Sequence, residues 1–279
     1  EEGNMVQLTH GNFGPLLHSR NREVRKAAFE GMNGTFEKFR STVSAAYAGS
    51  VKGDVFMARA RKYESARQAS LYPLEIPETV YDNLLTEVEN ALPALSEYME
   101  IRKKKLGVDE LHLYDLYVPI ISDFDMKLSY EEACELVCEG LQPLGEEYIA
   151  TLREAFKGGW IDVYENKGKR SGAYSWGCYG AHPYVLLNHQ DDVDHAFTIA
   201  HELGHAMHSY YSNAAQPYET ADYKIMVAEV ASTVNEVLMM RHLLARETDR
   251  KKRAYLLNQF LEQFRTTCFR QTMFAEFEY

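Results

Sequence analysis

His201-Glu202-Leu203-Gly204-His205 sets two imidazoles and a carboxylate at a spacing that one helix can bring to a single point. Residues four apart lie one above the other on a helix face, so His201 and His205 can reach the same metal ion. Glu202 between them is close enough to act on a water that the ion activates. The flanks, Ala196 to Ala200 and Ala206 to His208, contain no proline to interrupt a helix. The implied chemistry is metal-assisted hydrolysis, with zinc as the ion and Glu202 as general base.

Such a site takes three protein ligands and keeps a fourth position open. A third histidine in an HExxHxxGxxH arrangement is excluded, because the required glycine and histidine positions hold His208 and Tyr211. A glutamate on a second helix fits better. Residues 224–242 contain no Gly or Pro and read as helix, with Glu229 inside the otherwise apolar run Ile225 to Ala231. A carboxylate there is costly to bury without a cation. Its alternatives are third ligand or exposed carboxylate on the wet face, and the missing ligand favours the first. Glu236, seven residues on, shares that face and is expected to hydrogen-bond the outer nitrogen of a ligating histidine. His208, one turn beyond His205, is read as a group outside the ligand set or facing substrate, an ordinary packed histidine being the simpler alternative.

The elements that must position these groups are mostly helical. With 279 residues, 46% hydrophobic and 25% charged, the chain can bury a large core. Helical periodicity runs over 21–48, with a stripe of Val24, Ala27, Ala28 and Met32. Gly53-Asp54 is expected to punctuate the chain before a helix over about 54–70. Pro77 opens another towards Lys105, with Pro93 bending or breaking it. Asp115 to Asp125 is less regular. Ser129 followed by Glu132 is a capping-box start, with helices expected to Glu139 and over about 142–157.

Between Gly168 and Gln190 the character changes to glycines interleaved with Tyr174, Trp176, Tyr179 and Tyr184. Two or three short strands are expected there, just before the motif helix. Their edge could pair with an extended peptide, or the aromatics could pack a plain hairpin, and the residues leave both open.

A net charge of -11 argues against nucleic acid as a partner. The basic run Arg102 to Lys105 ends a helix before Gly107, where cations complement the helix dipole. No stretch approaches the apolar length needed to span a bilayer. Cys134 and Cys138 share a helix face and read as buried free thiols, and with Cys178 and Cys268 they form no CxxC pair. That usage points to a reducing cytoplasm. The opening Glu1-Glu2-Gly3 lacks a methionine, so the natural N-terminus is expected elsewhere.

His201 to Ser209, followed by Ala228-Glu229-Val230-Ala231-Ser232-Thr233-Val234-Asn235-Glu236, closely resembles the oligoendopeptidase F branch of the thimet oligopeptidase (M3) family. Gly168 to Ser175 and Pro183 to Asn188 are similar to that branch as well. The likeness extends back through Tyr114-Asp115-Leu116 to Arg22-Glu23-Val24-Arg25. The resemblance implies a mainly α, zincin-like catalytic domain with a small β-sheet beside the active-site helix. It implies a zinc endopeptidase cleaving short unstructured oligopeptides, with one Zn2+ held by His201, His205 and Glu229 and with Glu202 catalytic. Gly172, Ala173 and Tyr174 would border the substrate cleft. In domain terms, 1–20 is expected to be an N-terminal remnant or linker and 21–279 the catalytic domain, with the zinc core over about 168–242. The family places a tyrosine and histidine pair well beyond the second motif helix, whereas the chain ends at Tyr279, so truncation is expected. That leaves an alternative: a zinc- and peptide-binding fragment with little or no catalysis.

Overall fold

One helix break, at Phe39, falls where the backbone tightens and no glycine stands. The computed structural model describes residues 5–121 and 127–279, so Asp123 and Asp125 of the irregular stretch lie outside the described residues. α1 (His10–Leu17) leads into α2 (Arg22–Lys38), and α3 (Arg40–Ala60) follows after Phe39 alone. The periodic run over 21–48 is therefore two helices. At Phe39 the N–H turns to the Phe36 carbonyl at 2.9 Å, a three-residue bond that ends the α-helical ladder. Gly53, expected to punctuate, sits inside α3. A glycine on an exposed helix costs only about 1 kcal/mol against alanine, too little to stop it. α4 (Ala66–Leu71) is short.

Prolines act as expected. Pro77 is the N-cap of α5 (Glu78–Asn90), and Pro93 sits in the first turn of α6 (Leu92–Leu106), dividing the run to Lys105 into two helices. Gly107 closes α6 in the left-handed conformation, φ 66°. Ser129 caps α7 (Tyr130–Gly140) through a reciprocal box with Glu132. α8 is Glu146–Lys157, and the strands are β1 (Ile161–Asp162), β2 (Tyr174–Trp176) and β3 (Tyr184–Leu186). The motif helix α9 spans Val193–Ala215, and α10 (Ile225–Arg246), α11 (Arg250–Gln263) and α12 (Arg270–Glu278) complete the order.

Two compact units result, one from residues 1–122 with 262–279 and one from 123–261. In the first unit α1 packs on α2. That unit is fastened by buried charge. Asp115 is fully buried and takes hydrogen bonds from Arg25 at 2.7 Å, Arg22 at 2.8 Å and the His112 N–H at 3.0 Å. Arg102, 1% exposed, reaches the Val118 carbonyl at 2.8 Å and Glu262 at 2.6 Å.

The second unit has one hydrophobic core, with Val137 and Leu141 of α7, Leu152 of α8, Val185 of β3, Ile199, Leu203 and Met207 of α9, and Met239 of α10. Cys138 belongs to it as a buried free thiol, and Cys134 is likewise buried and free. The fold is mainly helical with a small three-stranded sheet. Sheet order is β1-β3-β2, β1 parallel and β2 antiparallel to β3. β1 precedes the glycine-rich region where strands were expected. Its pairing, Ile161 with Val185, is a long-range choice that two residues of sequence do not announce. Among the described residues no helix is long and apolar enough to cross a membrane.

Candidate metal centre

α9 begins where Asp192 caps the His195 N–H at 2.8 Å, and it continues unbroken through the motif. Its apolar residues Ile199, Leu203 and Met207 are buried, which turns the other flank, bearing His201 and His205, towards α10. Gly204 decides how near α10 comes. A Cβ at this position would lie 2.7 Å from both the Ala231 carbonyl oxygen and the Ser232 Cα. Only glycine admits that approach.

The approach gathers three donors. His201 Nε2 and His205 Nε2 are 3.1 Å apart, and Glu229 Oε2 lies 3.6 Å from each. Zinc ligands at about 2.0–2.1 Å in tetrahedral array stand roughly 3.3 Å from one another, so these spacings fit a zinc ion. Among the described residues, this is the one cluster of three or more His, Cys, Asp or Glu whose donor atoms converge in this way.

α10 also orients both imidazoles. Glu236 Oε1 is 2.6 Å from His201 Nδ1, which leaves Nε2 facing the other donors. The backbone of Ala228 hydrogen-bonds the His205 ring. Burial works against a charged His201, but the hydrogen bond and charge of Glu236 outweigh it and raise its pKa. Burial and the neighbouring His201 push His205 the other way. Asn235, 1% exposed, donates to the Ala200 carbonyl at 3.0 Å and meets the Tyr148 hydroxyl, tying α8, α9 and α10 together beside the converging side chains.

Glu202 is 7% exposed, and that burial raises its pKa. The backbone of Ser175 in β2 hydrogen-bonds its carboxylate. Glu202 and the sheet are thus directly joined. Gly177, just after β2, lies where a Cβ would come within 2.8 Å of Ser209, so the strand is held tight to α9. Among the described residues β2 pairs with β3 alone, and its Tyr174 and Trp176 are 49% and 71% exposed.

Of the other expected residues, Gly172 takes positive φ (88°), and its carbonyl accepts from Asn188 at 2.8 Å. Ala173 packs against the core and leads into β2, so Gly172 to Tyr174 adjoin the strand that reaches Glu202. His208 stacks on Tyr223, ring centres 3.7 Å apart, and its Nδ1 is buried without a hydrogen-bond partner. It makes the contact of a packed aromatic. Sequence reasoning missed Gly204, Ala228, Ser232 and Asn235. A small or polar residue at every fourth position of α10, on the side away from its exposed valines, was the available signal.

Comparison with known proteins agrees with this architecture. Oligopeptidase PepF of Bacillus subtilis (strain 168) is 52% identical over 279 residues, covering all of this chain and 42% of the relative. An oligoendopeptidase F homolog of Lactococcus lactis is 45% identical over 278 residues, covering 46% of its own length. The crystal structure of oligoendopeptidase-F from Enterococcus faecium superposes with a TM-score of 0.72 at 39% identity, over all of this chain and 42% of that one. A solved chain from Chlamydophila abortus gives a TM-score of 0.86 at 40% identity, over all of this chain and 47% of that one. The chain spans less than half the length of these relatives. The model of Peptidase family M3 matches residues 15–279, α9 and α10 included, and the chain belongs to that family.

Proposed function

We propose that this chain carries the zinc and general-base centre of an oligopeptidase that hydrolyses internal bonds of short, unstructured peptides. The observation that carries the reading is the convergence of His201, His205 and Glu229 donors, with the buried Glu202 carboxylate on the same helix. His201, His205 and Glu229 would hold the ion. A zinc ion there supplies Lewis acidity, which makes water nucleophilic at neutral pH and polarises a peptide carbonyl.

The remaining work falls to the chain. Glu202 accepts the proton of the attacking water on its carboxylate and returns it to the departing amine. Burial raises its pKa, the direction that helps a carboxylate take up a proton. The edge of β2 away from β3 offers backbone groups to an extended peptide, a mode indifferent to substrate side chains. Gly172, Ala173 and Tyr174 would border that peptide. Glu236 and the Ala228 backbone keep the imidazoles facing the ion. Four free cysteines suit a reducing cytoplasm.

A second reading is a zinc- and peptide-binding fragment without efficient turnover, favoured by a chain that covers 42% of its Bacillus subtilis relative. Cleavage of a fluorogenic oligopeptide with and without chelator separates the two. Chelator-sensitive cleavage that Glu202→Gln reduces by several orders of magnitude, with zinc content retained, supports the peptidase. One equivalent of zinc without cleavage supports the binder, and parental cleavage by Glu202→Gln removes Glu202 from the mechanism.

A further inference from the structure

We propose that Ser232 is a positioning residue of the metal centre, whose hydroxyl holds the Glu229 carboxylate with Oε2 presented to the two histidines. The inference rests on the reading of His201, His205 and Glu229 as zinc ligands. Each histidine already has a fastening from α10, Glu236 for His201 and the Ala228 backbone for His205. Glu229 is the ligand in need of one. Its side chain is 47% exposed and sits on three rotatable bonds, so nothing in its packing alone fixes the carboxylate.

Ser232 supplies what packing does not. It is fully buried, and its Oγ lies 2.9 Å from Glu229 Oε2 and 3.0 Å from the Glu229 backbone carbonyl, so its single proton has two acceptors, of which the charged carboxylate is the stronger. That oxygen is the one 3.6 Å from both imidazole nitrogens. A hydrogen bond from a fixed hydroxyl selects the carboxylate rotamer and leaves Oε2 as the atom aimed at the ion. Ser232 is itself immobile because its Cα faces Gly204 at the helix contact. Ala228, Ser232 and Glu236 are 7%, 0% and 9% exposed and stand four residues apart. One line along α10 therefore fastens all three ligands.

Thr233 provides the internal control. Its hydroxyl also bonds the Glu229 backbone carbonyl, at 2.6 Å, but it makes no bond to the carboxylate. Zinc affinity of the full 279-residue chain is read by competition with a chromophoric chelator, using zinc alone as probe. Ser232→Ala is expected to weaken binding about 10-fold or more, with the metal-free melting temperature unchanged. Thr233→Ala is expected to bind as the parent does. With cobalt substituted for zinc, the visible absorption bands should change in Ser232→Ala and not in Thr233→Ala. Parental affinity in Ser232→Ala would overturn the proposal, and so would an equal loss in both variants, which would mark a general helix effect. A parental chain that binds no zinc would instead sink the metal-centre reading, and the proposal with it.

Discussion

Gly204 of α9 and Ser232 of α10 meet so closely that a Cβ on the glycine would stand 2.7 Å from the serine Cα. The atom obstructing it is backbone, not the end of a flexible side chain, so a methyl group must separate the helices. Gly204→Ala is expected to cost about 1–3 kcal/mol of stability, as overpacking does. It should also lower zinc affinity at least tenfold, because His201 and His205 ride on one helix and Glu229 on the other. Thermal melting and zinc titration of the same variant check both. Parental zinc affinity in a destabilised Gly204→Ala would show that helix separation does not govern ligand spacing.

Glu236→Ala should act on one imidazole only. The 2.6 Å bond to His201 Nδ1 disappears, freeing the ring to rotate and removing the charge that raises its pKa. Zinc affinity is expected to fall about 10- to 100-fold. Glu236→Gln, which keeps a neutral acceptor, should fall between that variant and the parent in the same competition assay. Equal affinities for all three would remove Glu236 from the centre.

Acid should strike the first unit through Asp115. Burial opposes its ionisation, but the hydrogen bonds from Arg22, Arg25 and the His112 backbone prevail and hold its pKa at about 2. The folded-state value is depressed, so the stabilisation is complete above about pH 4 and is lost as the pH falls through about 2. Asp115→Asn leaves the Arg25 side chain, 4% exposed, without its carboxylate, and is expected to cost about 3 kcal/mol at neutral pH. The variant should also lose part of the parental acid sensitivity. Urea unfolding at pH 7 and at pH 3 tests this, and an unchanged midpoint at pH 7 would contradict it.

The candidate centre was legible to the extent that helix pitch dictates it. His201, Glu202 and His205 lie within one turn and a half, and Glu229 and Glu236 within two turns, so spacing alone places each set on a face. Glu236 meets His201 as its position on α10 suggested. What spacing could not express was the meeting of the two faces. Gly204 reads as an ordinary glycine until α10 lies against it, and Ser232 as an ordinary helical serine until Glu229 has a direction. The sheet shows the same limit. β2 and β3 announced themselves through aromatics and turns, whereas β1 is two residues whose strand character comes entirely from Val185 and Leu186 beside them. In the first unit, the break at Phe39 carries no proline or glycine, and the Arg22, Arg25 and Asp115 cluster joins residues some ninety positions apart.

The line of Ala228, Ser232 and Glu236 along α10 makes some distances in the chain rigid and leaves others free. An extra residue between Glu229 and Glu236 would swing the later positions by about 100° and strip His201 of its carboxylate while Glu229 stayed in place. Lengthening the 216–224 connection would do nothing of the kind, since helix contact and not tether length sets where α10 docks. Among homologues, gaps and insertions should therefore collect between the two helices and be missing within them.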